Sequence, residues 1–444
     1  MLYLGKILEE DGNQVSVLDF SAELYKREKI KNALNSVDAV GITVMSEAIK
    51  KTNQIINEIK SYDPEIVTII GGPHPTLYPK DALSETGADI SIQGDGEKII
   101  CEIKKAIQGN KSLSEIPGIF YQEKSNIKHG KKYEPIADLD SLPFPSRHLV
   151  KNYIYGRAYN PKIKKGEFTS ILTSRGCPYK CRFCSRGAVS LNLYRVRSTK
   201  KILEELKEIY SDGYRYLTFM DDSFLSNKKQ AIEIFDNIIK EGLELKMYIT
   251  AARADSADKE LYLKMKKSGV LSVQFGIESG NQEILDYYNK KTTVEKIRNA
   301  VNLSHESGFF TSGTVILGAP YETKKHFQNT LKFIKSLPID TVSFLPLRYM
   351  AGSELWKEAV KTGKISEKEY LVHASSDKDL GFYSENELLK YCKNLQRSFY
   401  QRPKYLINLL KKSIENNDYS LLNMFLSIYL SSIKKNLNPI KGHT

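Results

Sequence analysis

The stretch that decides the fold is Ser174-Arg175-Gly176-Cys177-Pro178-Tyr179-Lys180-Cys181-Arg182-Phe183-Cys184-Ser185, which follows an apolar segment at residues 168–173. Its three cysteines have a C-x3-C-x2-C spacing, while the rest of the 444-residue chain contains only Cys101 and Cys392. Three thiolates on a short loop can bind three corners of a cubane iron–sulfur cluster and leave one iron open. The spacing therefore predicts an open-cornered cluster at the end of a strand.

A structural zinc site is the competing interpretation of this cysteine loop. Structural zinc takes four closed ligands, and the loop offers neither a fourth cysteine nor a nearby histidine. A chance grouping is a poor explanation, since five cysteines in the whole chain make three on one loop unexpected. Five are also too few for a disulfide framework in a chain of this length. The spacing favours iron–sulfur over zinc.

Short apolar segments alternate with amphipathic stretches around and after the cysteine loop. Residues 200–210 have helical apolar spacing, for example, and lie between two of the strand candidates. Six strand–helix units predict a partial (β/α)6 barrel of the TIM-like kind, whose active site forms at the carboxyl ends of the strands. The strand candidates are residues 168–173, 216–220, 246–251, 272–277, 311–317 and 341–345.

The N-terminal part has a second alternating pattern. Nearly all-apolar strand candidates are typical of a parallel sheet covered on both faces, and the alternation predicts a doubly wound, Rossmann-like α/β domain. The strand candidates are residues 15–20, 39–45, 65–70 and 90–93, and the helix candidates are residues 22–34, 48–59 and 97–107.

Domain boundaries follow from turn and proline signals. A hairpin at residues 118–122 and 127–133 precedes a proline-punctuated connector at residues 142–145. We predict a Rossmann-like domain over residues 1–145, a linker over 146–165, a barrel over 166–380 and a helical C-terminal extension over 381–444.

The N-terminal domain lacks the strand that would be expected before its first helix. The chain opens inside a helix candidate, residues 2–10, which Asp11-Gly12 ends. Doubly wound domains normally begin with a strand that lies centrally in the sheet. Either the sheet is one strand short or a start site upstream of Met1 was missed, and our hypothesis is the upstream start.

Composition and charge exclude several classes of protein. With 41% hydrophobic and 27% charged residues, the chain is predicted to be soluble and globular, and Glu9-Glu10 interrupts what a signal peptide would continue as apolar sequence. We therefore predict a cytoplasmic protein. The formal net charge of +13 comes mostly from lysines interleaved with acids, which favours a solvated basic surface over nucleic-acid binding.

The C-terminal extension leaves two interpretations open. Residues 421–433 are apolar-rich and are followed by Lys434-Lys435. They are predicted to form a terminal helix packed on the barrel, with contact to a membrane surface as the alternative.

The cysteine loop, with the aromatic Phe183 before its last cysteine, resembles that of the radical S-adenosylmethionine (radical SAM) superfamily. The resemblance implies that Cys177, Cys181 and Cys184 bind a [4Fe-4S] cluster whose open iron takes the amino and carboxylate groups of S-adenosylmethionine. Reductive cleavage then yields a 5′-deoxyadenosyl radical, which is chemistry that the cofactor supplies. It also implies an anaerobic enzyme with an external electron donor of the flavodoxin or ferredoxin type.

The resemblance continues along the later strands. Met220-Asp221-Asp222-Ser223-Phe224 stands where the family places acidic or small residues near the methionine amino group, which carboxylates suit. Phe275-Gly276-Ile277-Glu278-Ser279-Gly280 and the stretch from Val315 to Thr323 resemble the segments near the ribose and the adenine. The S-adenosylmethionine contacts that the resemblance implies are Phe183, Asp221, Asp222, Arg253, Glu278 and Gly318.

Three strand-end segments of the N-terminal domain are similar to those of the cobalamin-binding domain fused to many radical SAM enzymes: Gly41 to Ser46, Ile70 to Thr76 and Gln93 to Glu97. Glycines there let the backbone approach a flat ligand in the crevice beyond the strand ends. A D-x-H-x-x-G motif is absent, as in many of these relatives, and His74 lies beneath the corrin or bonds to backbone. The implied cobalamin contacts are Ser46, Gly71, Gly72, His74, Gly94, Gly96 and Glu97.

The function that the resemblance implies is cobalamin-dependent methylation of an unactivated carbon in a small-molecule or lipid-like substrate. The deoxyadenosyl radical would abstract a hydrogen atom, and methylcobalamin would deliver the methyl group. One alternative is a radical cyclase or oxidase resembling the anaerobic tetrapyrrole ring cyclase, and another is a non-catalytic binding or regulatory module. Cys101 is the one cysteine of the N-terminal domain, which disfavours a methylthiotransferase because that branch needs three there.

Overall fold

The computed structural model describes residues 1–124, 126–403, 405, 407, 410, 411 and 414. A five-stranded N-terminal sheet and a six-stranded central sheet carry the fold of these residues. The strands are β1 Ala39–Thr43, β2 Val67–Gly71, β3 Ile90–Ile92, β4 Ile119–Glu123, β5 Asn126–His129, β6 Phe168–Ile171, β7 Ser174–Arg175, β8 Arg195–Val196, β9 Tyr216–Phe219, β10 Lys246–Ala252, β11 Val270–Glu278, β12 Phe310–Leu317, β13 Thr341–Pro346, β14 Arg348–Met350 and β15 Leu371–His373.

Helices cover both sheets. They are α1 Leu2–Glu10, α2 Arg27–Ala33, α3 Ile49–Tyr62, α4 Pro73–Leu77, α5 Pro79–Thr86, α6 Ile100–Ile107, α7 Arg186–Val189, α8 Thr199–Ser211, α9 Lys228–Lys240, α10 Lys259–Lys267, α11 Gln282–Tyr287, α12 Val294–Glu306, α13 Lys324–Ser336, α14 Glu354–Lys361 and α15 Glu385–Tyr400.

The N-terminal sheet has the strand order β1-β2-β3-β4-β5. Its first three strands are parallel, and β4 and β5 add an antiparallel hairpin. One face packs against α3 and α5, where Ile70 of β2 meets Ile56 and Leu83. The other face packs against α6, where Ile69 meets Ile103. This is the predicted α/β layer arrangement, and it brings the carboxyl ends of β1, β2 and β3 to one edge.

The predicted strand at residues 15–20 is wrong. The segment has no regular secondary structure, and β1 is the edge strand of its sheet with β2 as its one partner. Residues 16–20 and β1 both line a cavity of about 830 Å³. Because a strand needs a neighbour at about 4.8 Å to complete its ladder, an apolar run facing a cavity stays irregular.

The helix predicted for residues 22–34 is shorter in the structure, where α2 begins at Arg27. The Asp19 carboxylate accepts a hydrogen bond from the Ser21 backbone N–H at 2.8 Å. Such a local turn competes with helix initiation, since it offers the backbone another partner.

The central sheet is parallel throughout, in the order β6-β9-β10-β11-β12-β13. All six predicted barrel strands are present, within a few residues of their expected ends. Among the described residues no pairing joins β6 to β13, so the sheet forms an open, partial barrel. Its helices seal the outer face through a large apolar core that includes Leu206, Phe235 and Val301.

The predicted linker at residues 146–165 carries a buried anchor. The Arg147 guanidinium donates to the Thr169 hydroxyl at 3.1 Å and forms an ion pair with Glu205 of α8. Arg197 binds the other oxygen of the same carboxylate at 2.5 Å. Tyr159 of this segment stacks on Tyr248 with ring centroids 4.6 Å apart. These contacts fasten the segment to the first strands of the barrel.

The C-terminal extension begins with α15, which packs on β13. The Gln396 side chain accepts from the Phe344 backbone N–H at 3.0 Å and donates to the Val342 carbonyl at 2.9 Å. The apolar segment at residues 421–433 lies outside the described residues. No described helix is both long enough and apolar enough to cross a bilayer.

Candidate active site

The cysteine loop, residues 176–185, leaves the barrel between two short antiparallel strands. β7 and β8 pair Arg175 with Arg195 and thereby close the base of the loop. Gly176 has a φ of +88°, and a Cβ there would lie 2.0 Å from the Leu193 carbonyl oxygen. Only glycine tolerates both conditions, so Gly176 sets the direction in which Cys177 enters the loop.

The three loop cysteines have free, partly buried thiols. Burial raises the pKa of Cys184 to about 11, and it also raises that of Cys177. Electrostatic repulsion from a deprotonated Cys181 would raise the pKa of both further.

The donor set of the loop suits a cubane cluster. In the described part of the chain, no three His, Cys, Asp or Glu side chains are grouped closely enough to hold a single metal ion. A cubane binds each thiolate through a different iron, and bound iron stabilises thiolates that burial alone disfavours. The three thiols fit this group.

Arg253 lies directly over the cysteine loop. One guanidinium nitrogen is 3.7 Å from the Cys181 sulfur, and the guanidinium carbon is 3.7 Å from the centre of the Tyr179 ring. Asp255 accepts from its Nε at 2.9 Å. Arg253 is thus a buried cation beside the Cys181 sulfur, and its guanidinium would suit a ligand carboxylate there.

Glu278 forms a buried ion pair at the end of β11. Its carboxylate accepts from the Lys290 ammonium at 2.6 Å, and both side chains are less than a tenth exposed. Glu278 has a φ of +64°, after a register shift between β11 and β12. A Cβ on Gly276 would lie 2.5 Å from the Glu278 Oε1 atom, so glycine at this position makes room for the pair.

The two aspartates after β9 have different environments. Asp221 is buried and accepts from the backbone and hydroxyl of Thr173 and from the Ser174 hydroxyl. Its carboxylate is thereby occupied in holding the strand that leads to the cysteines. Asp222 faces the loop, where its charge raises the pKa of Cys177, and Arg186 lies 3.4 Å from its Oδ1 atom.

Phe183 and Gly318 contact other parts of the barrel. The Phe183 ring packs edge-on against Tyr288 at 5.2 Å. Gly318 has a φ of +106°, and a Cβ there would lie 2.7 Å from Leu388 of α15. Gly318 therefore brings the end of β12 close to the C-terminal helix.

A buried carboxylate closes the turn after β12. The Glu322 Oε2 atom accepts from the backbone N–H groups of Gly318 and Ala319 at 2.7 and 3.2 Å, while Oε1 has no partner. Desolvation by burial raises the pKa of Glu322 from 4.5 to about 7.

The buried Glu322 predicts a pH-dependent stability difference. Its folded-state pKa lies above the unfolded value of 4.5, so its stabilising contribution is present below that pH and is lost as the pH rises through about 7. A rise of that size corresponds to about 3 kcal/mol. We expect Glu322→Gln to be more stable than wild type at pH 8, by up to about 3 kcal/mol, with the difference shrinking towards pH 5. Urea unfolding of both proteins measures this, and a pH-independent difference would contradict it.

We call the residues that follow β1, β2 and β3, namely 43–46, 71–74 and 93–97, the strand-end crevice. The loops after β1 and β2 form one side of it. The Ser46 hydroxyl lies 3.2 Å from the His74 Nδ1 atom, while the His74 Nε2 atom is buried without a partner. Burial lowers the pKa of His74 to about 4, so it is neutral at pH 7. Beside Gly71 the nearest side-chain atom to an added Cβ is on Ile92, at 3.8 Å. Ser46, Gly71 and Gly72 are partly exposed, whereas His74 is fully buried and a Cβ on Gly72 would lie 2.9 Å from the Thr43 side chain. The glycine backbone is therefore the part of these loops that a flat ligand could approach.

The third loop of the crevice is occupied by protein contacts. A Cβ on Gly94 would lie 2.4 Å from the Tyr133 ring, so glycine at this position leaves room for the Tyr133 side chain. Glu97 forms an ion pair with Arg175 at 2.5 Å. Beside Gly96 the first neighbour of an added Cβ is Leu4, at 3.4 Å. Gly94 thus contacts Tyr133, and Glu97 contacts Arg175 at the base of the cysteine loop.

Several residues of the site were missed by the sequence analysis. Lys290 and Tyr179 contact predicted site residues, and Arg175, Arg195 and Tyr133 bind the Gly94–Glu97 loop. Arg175 stood next to Gly176-Cys177 in the sequence, which is a local signal. The other contacts join positions that are far apart in the sequence, so no local spacing could predict them.

The chain matches two known families. Residues 171–334 match the radical SAM superfamily, and residues 1–104 match the B12 binding domain. A protein of Pyrococcus horikoshii, described as an uncharacterized methyltransferase, is 29% identical over 413 residues, which are 92% of this chain and 88% of that protein. The anaerobic magnesium-protoporphyrin IX monomethyl ester cyclase of Cereibacter sphaeroides is 25% identical over 400 residues, which are 87% of this chain and 64% of the cyclase.

A solved structure has the same fold. It is that of the cobalamin-dependent S-adenosylmethionine radical enzyme OxsB with aqua-cobalamin and S-adenosylmethionine bound. The TM-score is 0.72 at 20% sequence identity, and the match covers 99% of this chain and 70% of OxsB. At this identity the likeness establishes the fold of both parts of the chain.

Proposed function

The chain is a radical SAM superfamily member with an N-terminal B12 binding domain, and from that premise we propose that it methylates a carbon atom of a small substrate. The observation that carries the proposal is the joining of the cysteine loop to the strand-end crevice in one molecule. When bound, the [4Fe-4S] cluster and S-adenosylmethionine supply a 5′-deoxyadenosyl radical, and cobalamin supplies the methyl group.

The residues of the barrel bind and orient S-adenosylmethionine in this proposal. Cys177, Cys181 and Cys184 hold the cluster. The Arg253 guanidinium, 3.7 Å from the Cys181 sulfur, is suited to the methionine carboxylate. Asp222, which faces the cysteine loop, is suited to the methionine ammonium, since Asp221 is already occupied by Thr173 and Ser174.

The N-terminal domain holds cobalamin in the strand-end crevice. The contacts that we propose are Ser46, Gly71 and Gly72, which are partly exposed, together with the buried His74. A neutral His74, buried against the Tyr370 ring at 4.5 Å, supplies shape and a hydrogen-bonding nitrogen. We assign Gly94 and Glu97 to domain contacts instead.

Two partners follow from this chemistry. We propose a small-molecule or lipid-like substrate, and an external electron donor of the flavodoxin or ferredoxin type, because Cys101 and Cys392 are too few to ligate a second cluster. We place the reaction in an anaerobic cytoplasm, where an open-cornered cluster stays reduced.

The fate of S-adenosylmethionine tests the proposal. The protein is purified anaerobically, reconstituted with iron and sulfide, supplied with hydroxocobalamin and reduced with dithionite in the presence of extract metabolites. A methylase of this kind consumes one S-adenosylmethionine as radical source and one as methyl source, so we expect 5′-deoxyadenosine and S-adenosylhomocysteine in about equal amounts. Chromatography of the nucleosides measures both. Formation of neither product would contradict the proposal.

A radical cyclase is the second candidate, favoured by the likeness to the anaerobic cyclase. Cyclisation needs no methyl donor. Substrate-dependent 5′-deoxyadenosine without S-adenosylhomocysteine would therefore favour the cyclase over the methyltransferase.

A further inference from the structure

Four charged residues join the cysteine loop to the strand-end crevice. Arg175 of β7 binds Asp95 at 2.7 Å and Glu97 at 2.5 Å. Arg195 of β8 binds the second oxygen of Asp95 at 2.5 Å. We call these residues, Asp95, Glu97, Arg175 and Arg195, the clamp.

The clamp is shielded from solvent. Its side chains are between 9% and 18% exposed. Coulombic attraction at such sites is screened far less than at a surface. Two guanidinium groups face two carboxylates, so the formal charges balance, which buried ions require. Contacts of this kind hold a defined geometry between the elements that carry them.

Further hydrogen bonds fix the acidic half of the clamp. The Tyr133 hydroxyl donates to Asp95 Oδ2 at 3.0 Å and accepts from the Asp95 backbone N–H at 3.1 Å. Gly94 lacks the Cβ that would collide with the Tyr133 ring. Arg195 also donates to the Ile136 carbonyl at 2.7 Å. The loop after β3 is therefore bound by groups outside its own strand.

The basic half of the clamp lies at the base of the cysteine loop. Arg175 is two residues before Cys177, and Arg195 is its cross-strand partner on the returning strand. The cysteine loop is part of the segment of residues 176–194, which begins and ends on this hairpin, so ordering of the loop around a cluster would act on β7 and β8. The same ordering then reaches Asp95 and Glu97 through two ion pairs.

We propose that the clamp couples the two cofactor sites, so that filling the cysteine loop increases the affinity of the strand-end crevice for cobalamin. The inference rests on the proposed function, because it requires both cofactors to bind. Ordering one loop lowers the entropic cost of ordering the other, which gives positive coupling. By linkage, cobalamin increases the affinity for the cluster by the same factor. The four clamp residues are positioning residues, and none needs to touch either cofactor.

The test compares cobalamin affinity with and without the cluster. Hydroxocobalamin is titrated into cluster-free and anaerobically reconstituted full-length protein, and binding is followed by visible absorbance of the cobalamin. For wild type we expect the dissociation constant to fall about fivefold or more when the cluster is present, the lower end of typical coupling. In Arg175→Gln we expect the two constants to agree within about twofold, and in Arg175→Lys an intermediate ratio, since a lysine reaches one acid at a time.

Matched variants keep the test decisive. Asp95→Asn retains the side-chain volume and an acceptor oxygen, so it is expected to fold while losing much of the coupling. Arg182→Gln removes a cation of the same loop that binds Glu354 and Glu358 on the barrel side, and it is expected to keep the wild-type ratio.

Two results would overturn the proposal that the clamp couples the two cofactor sites. One is a wild-type ratio of one with both cofactors bound, and the other is a wild-type ratio retained in both Arg175→Gln and Asp95→Asn. A wild-type protein that binds no cobalamin at all would overturn the proposed function together with the clamp, so the two failures are distinguishable.

Discussion

Cys181→Ala is expected to abolish the iron–sulfur cluster and all formation of 5′-deoxyadenosine. Removal of one of three thiolates leaves a cubane with two protein ligands, and the open corner that a substrate-like ligand needs no longer exists as a single site. Anaerobic reconstitution followed by visible absorbance and iron and sulfide analysis measures the cluster. We expect far less iron per chain than in wild type, and nucleoside products at background.

Cys101→Ala is the matched control. Cys101 is partly buried, as the loop cysteines are, but it belongs to α6 of the N-terminal domain. We expect this variant to retain wild-type cluster absorbance. Unchanged cluster absorbance in Cys181→Ala would defeat the assignment of the loop, and stoichiometric zinc without iron in the wild-type protein would favour the structural-zinc interpretation instead.

The barrel was predictable because its signals are local. Each strand of the central sheet is a short apolar run between amphipathic segments. A parallel strand that is buried on both faces is apolar along its length, so the run itself indicates the strand. The predicted bounds of α1, Leu2–Glu10, are confirmed, because the Asp11-Gly12 that ends this helix is also a local signal. The cysteine spacing is also local, since all its members lie on one loop.

Residues 15–20 show why one predicted strand does not form. Their apolar pattern is that of a strand, but a strand forms only beside a partner, and they line a cavity with β1 instead of pairing with it. Whether a strand finds a partner depends on how the whole sheet assembles, so a stretch of six residues cannot show it.

The site residues divide in the same way. Arg253 and Asp222 follow strands and lie at the cysteine loop, where strand-end reasoning expected them. The ligand contact expected of Glu97 stays a prediction, and its ion pair with Arg175, 78 positions away, could not be predicted from sequence spacing. Lys290 was overlooked because it reaches Glu278 across α11, 12 positions further along. Ion pairs that close over such distances depend on the tertiary fold.

The buried pair between Lys290 and Glu278 is expected to stabilise the fold. Both side chains are less than a tenth exposed and their charged atoms are 2.6 Å apart. Lys290→Met removes the cation and leaves an unpaired carboxylate in a desolvated site, which typically costs about 3 to 5 kcal/mol. We expect the free energy of unfolding of cluster-free protein to fall by about that amount, measured by urea titration.

Two further variants separate the pair from general destabilisation. In Lys290→Met combined with Glu278→Gln no charge is left unpaired, so we expect much of the stability to return. Lys264→Met removes a cation whose partners, Asp236 and Glu260, are 48% and 65% exposed, and we expect a much smaller loss than in Lys290→Met because solvent screens such pairs. Equal losses in the Lys290 and Lys264 variants would contradict the interpretation of a buried ion pair.

Glu278→Gln is expected to weaken S-adenosylmethionine binding as well as stability. Hydrogen bonds to a charged group contribute about 1.5 to 3 kcal/mol, which is roughly a 10- to 150-fold increase in Kd when the charge is lost. Because Lys290 holds this carboxylate at the strained end of β11, where Glu278 has a φ of +64°, Lys290→Met would weaken binding even at temperatures where the variant stays folded. Equilibrium dialysis with the reconstituted protein measures the affinity. A Kd unchanged in both variants would mean that Glu278 only supports the strand end, and the ligand contact would then have to come from Asp222 and Arg253.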